Sequence, residues 1–308
     1  MRKVFYIILL LVAVITACDE DYGIRSQSSD LVVEGWIQNN QFPVVILTRT
    51  VPVSSEFQDM SNLEDYIVYW AKVSITDGTD TVILTGMYDE DFFPPYIYTT
   101  GRMRGVTGKT YKLMVDYQDY HATATTTIPP TPQLDSFKVE RVPDVDSLFR
   151  IKACFTDNPQ EKNYYQLFTR VGTKYIQYTA AYLGSISDEV IDQHTEVAVY
   201  NGHRLDTKAY SPYFSVNDTV AVKLAQVNRE GFLFWDQYTK AQSLSTNMFL
   251  STVADIPSNI SGGIGYWIGY GAVEHYFIMS DYQSLIDVRL NGIRGSERVI
   301  ILRPFPFL

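Results

Sequence analysis

Beyond residue 30 the chain is written in short alternating runs. Leu31 to Ile37, Val44 to Thr50, Ile67 to Thr76, Thr81 to Thr85, Tyr96 to Thr100, Tyr111 to Tyr117 and Ala122 to Ile128 are rich in Val, Ile, Thr and Tyr, with turn residues between them. In the third run Ala71, Val73 and Ile75 alternate with Lys72, Ser74 and Thr76, the pattern of an antiparallel strand with one buried and one wet face. Asp77-Gly78-Thr79-Asp80 supplies a turn into the next strand. Seven such segments in about a hundred residues predict an immunoglobulin-like β-sandwich over residues 31–128.

Pro129-Pro130-Thr131-Pro132 ends this block, because prolines cannot donate to a sheet and hold the chain extended. Residues 129–133 are therefore expected to link two domains. Strand-like runs resume at Leu134 to Val142, Leu148 to Phe155, Tyr164 to Val171, Lys174 to Thr179, Glu196 to Tyr200, Val220 to Val227 and Ala272 to Met279. In the second of these, Phe149, Ile151, Ala153 and Phe155 fall on one face, with Arg150, Lys152 and Cys154 on the other. One stretch has a helical period: Phe232, Trp235, Gln237-Tyr238 and Ala241 recur at three- and four-residue intervals after Asn228, a good N-cap. This predicts a helix near 229–245 whose aromatic stripe packs on a sheet. The apolar tail from Val299 to Leu308 needs cover and is expected to dock as a strand. The predicted fold class is mainly β: an N-terminal immunoglobulin-like sandwich, then a second β-rich domain over 134–308 carrying one helix.

The N-terminus has a different pattern. Arg2 and Lys3 precede an apolar run from Val4 to Ile15, the charged-then-apolar order of an export signal, and too short to span a bilayer. Thr16-Ala17 leads directly into Cys18, which resembles the lipobox at which bacterial lipoproteins are acylated and cleaved. Residues 1–17 are thus expected to be a lipoprotein signal peptide, Cys18 the lipid-attachment residue, and residues 18–30 a tether. Asp19-Glu20-Asp21 makes that tether acidic and resembles the surface-export signal of Bacteroidota lipoproteins. With Cys18 acylated only Cys154 remains, so no intramolecular disulfide forms and packing must supply the stability.

Charge and candidate chemistry narrow the reading further. The formal charge of −10 becomes −12 once Arg2 and Lys3 leave with the signal, so no basic field collects phosphates and nucleic-acid binding is not expected. His121, His194, His203 and His275 are scattered without metal-ligand spacing, Gly184-Ser185-Ile186-Ser187 lacks the second glycine of a nucleophile elbow, and Cys154 has no neighbouring base. The glycines of Ser258 to Gly265 lack the Lys-Ser/Thr ending of a phosphate loop. Asp89-Glu90-Asp91 lacks the glycine and terminal glutamate of a calcium loop and reads as a solvated turn. No catalytic residue, metal or cofactor is expected. Aromatic residues, at 14% of the chain, are too many for all to be buried; Tyr88, Phe92, Phe93 and Tyr96 lie in an expected loop and form the candidate partner interface.

The order of several segments resembles a family of Bacteroidota lipoproteins catalogued as domain of unknown function 4249. The residues that carry it are Cys18, Leu31 to Ile37, Ala71 to Gly78, Gly108 to Val115, Thr127-Ile128-Pro129, Phe155 to Pro159 with Asn163-Tyr164-Tyr165, and Asn259 to Gly265. The resemblance implies an envelope lipoprotein, with relatives commonly encoded beside TonB-dependent outer-membrane receptors, and it transfers no catalytic residue. The expected protein is an outer-membrane surface lipoprotein held by its N-terminal lipid, a non-enzymatic accessory that captures or presents a ligand for such a receptor. The alternatives are a structural or adhesive surface protein and a hydrolase of surface glycans or peptides.

Overall fold

A computed structural model describes residues 30–50, 64–172, 177–202, 211–245, 256–281 and 299–302. The expected signal, Cys18 and nearly all of the tether lie outside them. The first seven strands are β1 (Leu31–Gln38), β2 (Val44–Arg49), β3 (Lys72–Thr76), β4 (Thr81–Tyr88), β5 (Tyr96–Thr99), β6 (Thr110–Tyr117) and β7 (Tyr120–Thr127). They are followed by β8 (Gln133–Val142), β9 (Val145–Thr156), β10 (Tyr164–Val171), β11 (Thr179–Ser187), β12 (His194–Val199), β13 (Phe214–Ser215) and β14 (Thr219–Val227). A 3-10 turn at Asp188–Val190 joins β11 to β12, and helix α1 (Arg229–Ser245), β15 (Ile264–Ile278) and β16 (Val299–Leu302) follow. The chain is mainly β, and most of the expected runs hold strands; of the run expected from Lys174 to Thr179, residues 174–176 lie outside the described residues and strand pairing begins only at Thr179, while β15 begins at Ile264, ahead of the expected Ala272.

Eleven strands form one hydrogen-bonded path in the order β11-β10-β14-β15-β1-β2-β5-β4-β3-β6-β7. A second sheet runs β12-β9-β8-β16, with β13 beside β9. The long path curls at its β1–β7 end into a sandwich around Leu31, Val33, Ile37, Val45, Leu47, Val73, Ile75, Leu113 and Val115. At its other end it packs against the second sheet, where Phe137, Val139, Phe149, Ile151 and Phe155 meet Tyr165, Leu167, Val222, Leu224 and Phe277. The inward set on β9 is the one its alternation predicts. β16 pairs antiparallel with β8, so this part of the apolar tail docks as a strand.

β15 belongs to both interiors. It lies parallel to β1, Val33 opposite Gly265 and Ile37 opposite Gly269, and antiparallel to β14 further along. On its inner face Trp267 is fully buried in the first core and Phe277 in the second. Trp267 donates its indole N–H to the Tyr111 carbonyl at 3.1 Å. Between these anchors the inner positions next to Trp267 are Gly269 and Gly271, and here the chain from β7 into the proline-rich segment crosses. A Cβ on Gly269 would stand 2.7 Å from the Thr127 carbonyl oxygen, and one on Gly271 2.2 Å from that of Pro129. Only hydrogen fits at such a crossing. The proline-rich segment is thus accompanied by a second connection, and residues from beyond it, Ile260 and Trp267, enter the first core.

The outer face of β15 has its own cover. Tyr266, Ile268, Tyr270 and Ala272 meet Tyr164, Phe168 and the helix residue Phe234, with Phe232 and Trp235 packed against them. The aromatic stripe of α1 therefore lies on a sheet, and Trp235 donates its indole N–H to the Tyr270 hydroxyl at 2.9 Å. The Asn228 side chain accepts the Gly231 amide at 2.9 Å, the N-cap bond expected from the sequence.

Candidate functional site

Among the described residues, a group of exposed aromatic rings stands at one end of the β1–β7 sandwich. The β4–β5 hairpin closes with Tyr88 opposite Tyr96, and the loop between them is held by its own backbone. The Asp89 amide donates to the Pro95 carbonyl at 3.1 Å, and Asp89 Oδ1 accepts the Asp91 amide at 3.0 Å. These bonds account for the acidic triplet as a turn. Beside the hairpin runs the segment that enters β3. The Tyr98 hydroxyl donates to the Val68 carbonyl at 2.7 Å and accepts the Ala71 amide at 3.0 Å, while the Tyr96 hydroxyl donates to the Tyr69 carbonyl at 3.0 Å. Burial pushes the Tyr98 hydroxyl up to about 12, so it keeps its proton and the donor role through the physiological range.

This stitching decides which rings face water. Trp70 is 90% exposed, Tyr88 64%, Phe93 59% and Tyr69 37%. Tyr96 is the support beneath them, with its ring edge-on to Tyr69 at 4.8 Å and to Tyr98 at 5.5 Å. Gly86 makes room for it, since a Cβ there would lie 2.2 Å from the Tyr96 hydroxyl. Phe92 turns back and packs against Trp36, with centroids 6.2 Å apart. Of the four residues singled out in the sequence, Tyr88 and Phe93 present surface, whereas Phe92 and Tyr96 hold the loop. Tyr69 and Trp70 join the surface although the alternation places them inside a strand from Ile67. The strand starts only at Lys72, because the preceding amides bond to Leu47 and Tyr98 outside a regular ladder.

The electrostatics at this end are acidic. Glu64, Asp65 and Glu90 are exposed, with Asp89 and Asp91 partly so. Arg49 donates its guanidinium to the Asp65 carbonyl at 2.8 Å. Partial burial, then the Glu64 carboxylate, raises the Tyr69 hydroxyl above its ordinary value.

Two buried polar clusters lie elsewhere, both where β1 meets β15. In one, Lys223 Nζ lies 3.1 Å from Gln38 Oε1, 3.7 Å from a Glu274 oxygen and 4.0 Å from the Tyr178 ring centroid. Gln38 and Tyr178 also donate to Glu274, at 3.0 and 2.8 Å. Burial lowers Lys223 to about 8, against the opposing pull of Glu274. Burial also presses Glu274 upward, but the Lys223 charge and those two hydrogen bonds leave it below the usual carboxylate value. Every polar end is engaged, and the cluster ties three strands together. In the other, Tyr266 donates to Glu34 at 2.6 Å, and burial raises the Glu34 carboxyl despite that bond. A cleft of about 70 Å³ beside it, between α1 and Pro257–Asn259, has room for little more than water. Cys154 is partly buried, and burial raises its thiol, the opposite of an activated nucleophile. Among the described residues, no group of three or more His, Cys, Asp or Glu side chains is placed to hold a metal ion, and no helix is long and apolar enough to cross a membrane.

The fold is thus that of a β-sandwich protein with two interiors joined through one strand and an aromatic display at one end. The chain belongs to the family described as domain of unknown function DUF4249, whose profile matches residues 19–275. That span takes in the first interior and most of the second, and ends within β15, short of Phe277. No curated protein matches the chain significantly.

Proposed function

We propose that this protein is an outer-membrane lipoprotein, anchored through Cys18 and facing the cell exterior, that works without catalysis by capturing or presenting a ligand for a TonB-dependent receptor. The observation that carries the reading is the display of Trp70, Tyr88 and Phe93 on a tyrosine-stitched support. Large rings held rigid before binding lose little entropy when a partner covers them, and such rings dominate protein interfaces. Lipid anchoring confines the protein to the partner's membrane and raises its effective concentration there. Fatty-acid labelling that disappears in Cys18→Ala checks the anchor. Replacing Trp70, Tyr88 and Phe93 together by Ala, with Tyr96 left to hold the loop, should reduce co-isolation of the receptor from native membranes while the β-type circular dichroism is kept. Undiminished co-isolation would refute the aromatic end as the interface, and turnover of surface glycans or peptides by the purified protein would refute the non-catalytic reading.

A further inference from the structure

The position of the aromatic end relative to the chain entry says which way it faces. The described chain begins at Asp30, whose carbonyl accepts the Thr50 amide, and Leu31 pairs with Arg49. Ile67 bridges Thr48, and Val68 bonds to Leu47, so the segment carrying Tyr69 and Trp70 rises from this same end. β5 runs antiparallel to β2 with Val45 opposite Tyr98, which puts Tyr96 level with Leu47 and the 89–95 loop beyond it, toward Asp30. The β3–β4 turn at Asp77–Asp80 is at the opposite end, past the Thr76–Thr81 pair. About a dozen residues separate Cys18 from Asp30, a reach of at most about 40 Å. On the anchored reading of the preceding section, the aromatic rings face the membrane that holds the lipid.

Charge then chooses between the two things to be met there, the bilayer and a protein embedded in it. At this end Glu64, Asp65, Asp89, Glu90, Asp91 and Asp119 stand against Arg49 and Lys72. An anionic lipid surface repels such a set, and a cationic protein face attracts it. Exposed Trp and Tyr faces add binding sites for Lys and Arg heads. We infer that the aromatic end docks on a Lys- and Arg-bearing rim of an integral protein of the anchoring membrane, with basic side chains seated over Trp70 and Tyr88 and between the flanking carboxylates.

The test uses the full-length acylated protein in native membranes, with the photo-crosslinker benzoylphenylalanine in place of Trp70 or, at the far end, of Thr79. Position 70 should crosslink to Lys- or Arg-containing peptides of an integral membrane protein, and position 79 should not. Glu64→Lys, Asp65→Lys and Glu90→Lys together should lower the yield at position 70 at least tenfold. The neutral set Glu64→Gln, Asp65→Asn and Glu90→Gln should lower it to an intermediate level, which separates lost charge from lost folding. Crosslinking chiefly into lipid, equal yields at the two positions, or yields that survive charge reversal would each overturn the inference. If the receptor co-isolates while crosslinks arise only from other surfaces, the proposed function stands and this docking end is wrong; if nothing co-isolates, both fall.

Discussion

Gly271→Ala tests the claim that one strand carries both interiors. An added Cβ would lie 2.2 Å from the Pro129 carbonyl oxygen and 2.4 Å from that of Pro130. Ordinary carbon–oxygen contact begins about 1 Å further out, and both obstacles are backbone, so no side chain can rotate aside. Relief requires the proline-rich crossing to lift from β15 or β15 to slip against β1. Overpacking of this kind costs typically 1–3 kcal/mol, and a backbone obstacle places this site near the top of that range. For a chain of this size about 3 kcal/mol lowers the melting temperature by roughly 5 °C. The assay is scanning calorimetry of the mature protein. Gly101→Ala is the control, because a Cβ there meets nothing within 4 Å. Since Trp267 and Phe277 anchor the same strand in different cores, the whole unfolding endotherm should shift as one. A shift within 2 °C of the control, or two endotherms of which only one moves, would refute the reasoning.

Three further outcomes follow from the same contacts. Asn228→Ala removes the cap on the Gly231 amide and should cost about 1 kcal/mol in chemical denaturation, with Asn228→Asp recovering most of it; equal stability of all three proteins would dismiss the cap. Lys223 is lowered in the folded state, so between about pH 8 and its unfolded value of 10.5 the unfolded chain binds more protons and this residue makes stability rise with pH. Denaturation at pH 7.5, 8.5 and 9.5 should show wild type gaining on Lys223→Met across the series, and a constant difference would argue against the burial. Gly86→Ala should drive the Tyr96 ring off its seat and quench or shift the fluorescence of Trp70 beside it, whereas an unchanged spectrum and melting temperature would show the support to be dispensable.

The legible parts of this fold were those in which one face of an element is wet. β9 announces Phe149, Ile151, Ala153 and Phe155 because Arg150 and Lys152 alternate with them, and α1 announces itself through Asn228 and a three-to-four-residue aromatic period. β15 is buried on both faces through Tyr266–Ala272, so alternation vanishes and its partner β1 is distant in sequence. β11 is hidden for another reason: its run of small residues carries no apolar alternation, and in the fold it pairs β10 across an irregular register, with Leu183 in the left-handed region. At the candidate site the aromatic loop was visible in the sequence, but the division of labour within it was not. Which ring supports and which presents depends on the Tyr96 and Tyr98 hydroxyls reaching a segment some thirty residues away.

The parallel seam between β1 and β15 also sets an order of events. Glu34 and the tyrosine that bonds it are 232 residues apart. A chain emerging from its N-terminus can form hairpins such as β3–β4 and β6–β7 at once, because their strands are local. It cannot close its first interior until Trp267 has arrived. Throughout synthesis and any passage across a membrane, the leading half is therefore a set of unfinished sheets with β1 unpaired on one side. Threading a narrow channel requires that kind of incompleteness, and the same exposed edge makes a chain stopped short of residue 264 prone to aggregation.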